Sequence, residues 1–67
     1  MKIKDFCKRM NNHGTYPRIW VYKRDTIIGD CILIYEGNPY GVPAEIGKMP
    51  INSFTVMGVG SVIIYTA

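Results

Sequence analysis

An α+β fold is what this chain predicts, with elements in the order α-β-β-α-β-β, and three observations carry the prediction. Apolar side chains recur at helical spacing near the start, four later runs are alternating or β-branched, and Gly-, Asn- and Pro-rich breaks of turn length separate them. The 67 residues leave room for one domain, residues 1–67. A chain of this size buries only about 60% of the surface its unfolded form exposes. Domains so small usually lean on a disulfide, a metal or self-association.

Ile3, Phe6, Cys7 and Met10 fall at i, i+3, i+4 and i+7, with Lys2, Lys4, Asp5, Lys8 and Arg9 on the other side. Residues 3–11 therefore read as an amphipathic helix. Asn11, Asn12, His13 and Gly14 tolerate left-handed backbone, and Gly14 is the best position to end the helix. Residues 16–24 alternate, with Arg18, Trp20, Tyr22 and Arg24 on one face and Ile19, Val21 and Lys23 on the other, the signature of a strand with two distinct faces. A polar break from Lys23 to Thr26 follows. Residues 27–36 are then apolar on both faces apart from Asp30 and Glu36, which predicts a central, buried strand.

The densest turn composition runs from Glu36 to Gly41, and Pro43 suits the first turn of a short helix over residues 44–48. Gly47 costs that helix about 1 kcal/mol relative to alanine, and Pro50 stops its extension. Residues 51–57 and 61–65 are strands joined by Gly58-Val59-Gly60, which reads as a hairpin loop. Two hairpins with helices on one face predict a four-stranded, largely antiparallel sheet, because the short connections cannot carry parallel crossovers. The N-terminal helix covers one face. The other is expected to be apolar enough to require a homo-oligomer, through the sheet face or an edge strand.

Charge is unevenly placed. Residues 1–24 hold seven of the eight basic side chains against Asp5, a balance of +6, and the remainder sets Lys48 against four carboxylates, a balance of −3. Such asymmetry fits either an anionic partner or a solvated basic face. No apolar run approaches the roughly 20 residues needed to cross a bilayer, and none of signal-peptide length follows Met1–Asp5, so the expected location is cytoplasmic.

Cys7 and Cys31 lack the paired spacing of a zinc site, and His13 cannot complete a tetrahedral set, so no metal is expected. Each thiol lies in an apolar stretch, and both are expected as reduced core residues. The candidate acids and bases, Asp5, Asp25, Asp30, Glu36, Glu45 and His13, form no catalytic spacing. Neither enzyme activity nor a cofactor is expected.

The sharpest functional feature is the strand face of Arg18, Trp20, Tyr22 and Arg24, which combines cations with aromatic rings, the chemistry that stacks a base and neutralises its phosphate. Tyr40, in the Asn38-Pro39-Tyr40 loop, adds a candidate contact ring. The structural alternative is that Trp20 and Tyr22 pack beneath the helix or in a subunit contact while the arginines reach out to solvent.

The segments Ile34-Tyr35-Glu36-Gly37-Asn38, Val42-Pro43, Asn52-Ser53-Phe54-Thr55-Val56 and Val62-Ile63-Ile64-Tyr65 resemble those of small proteins encoded by phages and prophages of Firmicutes. Those proteins open with a Met-Lys-(Ile/Val)-Lys-(Asp/Glu)-Phe helix, matched by Met1 to Phe6, and the likeness spans most of the chain. The resemblance implies a setting and transfers no residue roles. A compact protein in that setting is expected to be an accessory factor that inhibits a host anti-phage process, and the strand-face chemistry makes a homo-oligomer that sequesters a nucleotide-derived immune signal the leading expectation. Its ligand residues would be Arg18, Trp20, Tyr22, Arg24 and Tyr40. The alternatives are an inhibitor that binds a host effector such as a nuclease, through that surface or the Lys2, Lys4, Lys8 and Arg9 helix face, and a small nucleic-acid-binding protein.

Overall fold

Helix α1, Ile3–Arg9, docks by the stripe its spacing predicts: Ile3 and Cys7 are buried and Phe6 half-buried. The computed structural model describes residues 1–9, 18–27, 29–58 and 60–66. The predicted turn at residues 11–14, with Met10 and the start of the first strand at Tyr16, lies outside them. The described residues form α1, β1 (Arg18–Arg24), β2 (Cys31–Gly37), a 3-10 turn (Pro39–Gly41), α2 (Ala44–Gly47), β3 (Ile51–Val56) and β4 (Ser61–Thr66). This is the predicted α+β order.

The strands lie in the order β2-β1-β4-β3. The β1–β2 and β3–β4 pairs are antiparallel, as expected of strands that follow each other in the chain. The sheet is mixed, however, because β1 and β4 run parallel at its centre, with Trp20 opposite Ile63 and Tyr22 opposite Tyr65. No short crossover is involved. Everything between the two strands in sequence serves as the connection, so the argument from short links never reached this pair.

That central pairing displaces β2. The expected buried central strand over residues 27–36 is instead an edge strand that begins at Cys31, with Cys31, Ile32 and Leu33 exposed. Two causes are local. The Asp25 carboxylate accepts from the Ile27 N–H at 2.8 Å, and Gly29 N donates to Asp25 O at 2.8 Å with a φ of 76°. Asp25 thereby holds a turn that competes with extension of the strand, and Ile27 is left 94% exposed. Cys31 is correspondingly a surface thiol, against the expectation of two core cysteines; Cys7 alone is buried, and burial pushes its thiol pKa up.

The core is one layer of β-branched side chains between sheet and helix: Ile19 and Val21 from β1, Val62 and Ile64 from β4, with Ile3 and Cys7 above them. Thr66 continues this face, and its hydroxyl donates to Pro50 O at 2.8 Å, which satisfies it in place of water. The N-terminus is pinned by Ile3 N to Met49 O and Ile51 N to Met1 O, both 2.9 Å. In the β3–β4 hairpin Gly58 and Gly60 take φ of 122° and 76°, angles that side chains disfavour.

Candidate functional site

The alternation of β1 sends Ile19 and Val21 into the core, so Arg18, Trp20, Tyr22 and Arg24 point away from α1. Neither aromatic residue packs beneath the helix. The register of β4 places Ser61, Ile63 and Tyr65 beside them, and that of β3 adds Ser53 and Thr55. The outcome is a sheet face that no described helix covers, with rings on its two central strands.

Its geometry divides into two clusters. At one end Arg18 donates to Glu36 Oε2 at 2.6 Å and Trp20 Nε1 donates to the same oxygen at 3.1 Å, while the guanidinium lies 5.6 Å from the indole centroid. The Arg18 and Trp20 hydrogen bonds hold the Glu36 carboxyl below the usual range, with the Arg18 charge adding to them. At the centre Tyr22 and Tyr65 stack, centroids 5.9 Å apart and planes 26° from parallel. Between the clusters a shallow cavity of about 330 Å³ is lined by Trp20, Tyr22, Ile63, Ser61 and Met57.

Arg24 lies at the far end of β1, six residues from Arg18 and hence about 20 Å away at the rise of an extended strand. Tyr40 belongs elsewhere. The residue is 61% exposed on the helix layer, beside Lys4 and Lys8, so four of the five expected ligand residues share a face and the fifth does not. Glu36, Tyr65 and Met57 join the four. Glu36 is sixteen residues from Trp20 in the chain, and only the β1–β2 register brings them together. Among the described residues no three of His, Cys, Asp or Glu converge on a metal position, and no helix is long and apolar enough to cross a membrane.

The arrangement can stack a planar ring and place an anion against a guanidinium. The comparisons found no match to this chain among family models, curated proteins or solved structures.

Proposed function

We propose that this chain is a binding protein for a nucleotide-like ligand, held with its base against Trp20 and Tyr22 and its phosphates near the arginines of β1. The observation that supports this most is the grouping on one sheet face, away from α1, of an indole, two stacked phenols and two guanidiniums. A flat aromatic face suits any base, since each has a π-face, and stacking is worth about 1–3 kcal/mol per base. With Glu36 counted, the four β1 residues and their partner carry only +1, which suits a small anion better than a long polyanion. In the setting implied by the phage-protein resemblance, the ligand is a nucleotide-derived defence signal and the effect is its sequestration.

A second copy belongs to the same reading. Edge strand β3 is exposed from Asn52 to Val56 and carries no charge and no proline, the residues that usually protect an edge. Joining two copies along β3 would bring the partner beside Met57 and so beside the shallow cavity.

Trp20 supplies the readout. Titration with a cyclic dinucleotide or a mononucleotide is expected to change its fluorescence and to saturate, and Tyr22→Ala is expected to weaken binding about tenfold, the lower range of a lost stacking contact. An unchanged spectrum at millimolar nucleotide would sink the proposal. A single strand lying along β1 is the second reading, favoured by the roughly 20 Å between Arg18 and Arg24; it requires affinity for oligonucleotides that exceeds that for mononucleotides and falls steeply with salt.

A further inference from the structure

On the layer opposite the aromatic face, α1 and α2 meet around a cleft of about 470 Å³, within the range of small-molecule sites. Lys4 and Lys8 from α1, Lys48 at the end of α2, and Tyr40 from the 3-10 turn line it, and Cys7 and Val42 form part of its apolar floor. We infer that this cleft is a second binding site, for a ligand of the nucleoside polyphosphate class, with phosphates on the three lysines and the base on Tyr40.

Charge is the first argument. Three lysines, two from α1 and one from the end of α2, line the cleft, and no carboxylate lines it. Among the described residues none of the three is held in an ion pair or a side-chain hydrogen bond. Lys4 and Lys8 are also spaced i, i+4, where like charges destabilise a helix by a few tenths of a kcal/mol. A bound polyanion relieves that repulsion, and lysine is a common point-charge partner of phosphate.

Backbone packing is the second. Gly47 is buried, and a Cβ placed there would lie 3.3 Å from Lys4 Cβ. Glycine at this position, unfavourable for a helix by about 1 kcal/mol, permits the close approach of α2 to α1 that sets Lys48 beside Lys4. The third argument is the ring. Asn38 Oδ1 accepts from Tyr40 N at 2.7 Å, and Tyr35 donates its hydroxyl proton to Asn38 O at 2.6 Å. These bonds anchor the turn that carries the exposed Tyr40.

The test is amide NMR of the full chain titrated with ATP and, separately, with inorganic tripolyphosphate. Shifts are expected to saturate and to centre on Lys4, Lys8, Tyr40, Gly47 and Lys48, with ATP the tighter by several-fold. The Lys4→Gln, Lys48→Gln double variant, whose side chains are at the surface, is expected to lose at least tenfold toward both probes. Tyr40→Ala is expected to abolish the preference for ATP at these residues and keep tripolyphosphate binding, and Trp20→Ala on the opposite face to leave the shifts of the cleft residues unchanged, whatever it does to nucleotide binding on the sheet face. Equal affinity for the two probes, shifts scattered over Lys2, Lys23 and the other cations, or shifts centred on Trp20 alone would each overturn the assignment. The last result would leave the sheet-face proposal standing, so the two readings fail separately.

Discussion

Glu36 occupies two donors that a ligand on the sheet face would otherwise use, the Arg18 guanidinium and the Trp20 N–H. Because its folded pKa is lowered, this tether is complete above the ordinary glutamate value of about 4.3 and is lost as pH falls through the lower folded value. Trp20 fluorescence is therefore expected to titrate in acid with a midpoint below about 4.3, and Glu36→Gln to remove that transition. A midpoint at or above the ordinary value would show that the carboxylate does not hold the indole. The same substitution raises the charge of the face by one and replaces the anionic partner of Arg18 with a neutral amide, so nucleotide affinity is expected to rise.

At the scale of elements, the two edge strands differ. β2 carries Glu36, which is tied to β1, and a bulge against Val21 and Tyr22 that interrupts its ladder. β3 carries no charge, and it exposes Phe54 at 52% and Val56 at 63%, with the Phe54 ring 5.0 Å from Phe6. A lysine in the middle of such an edge opposes pairing with a second copy. Val56→Lys is expected to convert a dimer into a monomer with an unchanged circular dichroism spectrum, read by light scattering after gel filtration. A wild-type chain that stays monomeric at several hundred micromolar would refute self-association through β3.

At the scale of the molecule, stability rests on the layer between the sheet and α1. Among the described residues six side chains form the core cluster, and β1 and β4 supply four of them. A domain of this length is stable by roughly 3–10 kcal/mol, and truncating a buried isoleucine to alanine costs about 2–5 kcal/mol. Ile64→Ala is thus expected to consume much of the total and shift the urea midpoint strongly, whereas Val56→Ala, on the exposed edge, stays within about 0.5 kcal/mol. Similar midpoints for the two variants would mean that the centre of stability lies elsewhere. Pairing of β1 with β4 closes most of the chain into a loop, a topology that slows folding.

Local pattern determined the elements of this protein. The helical stripe of Ile3, Phe6 and Cys7, the alternation around Trp20, the turn chemistry near Pro39 and the β-branched runs at the C-terminal end each act over a few residues, within reach of propensity and periodicity. The division of β1 into a core face and an aromatic face was legible for the same reason. What only the tertiary structure decided was neighbourhood. Apolar composition marks a segment as able to be buried, but competition among strands for the centre decides which one is, and β4, paired in parallel with β1, displaced β2 and left Cys31 at the surface. Glu36 reaches Trp20, Tyr65 reaches Tyr22, and Lys48 meets Lys4 across long stretches of chain, through register and the close approach at Gly47, and no local spacing encodes such contacts.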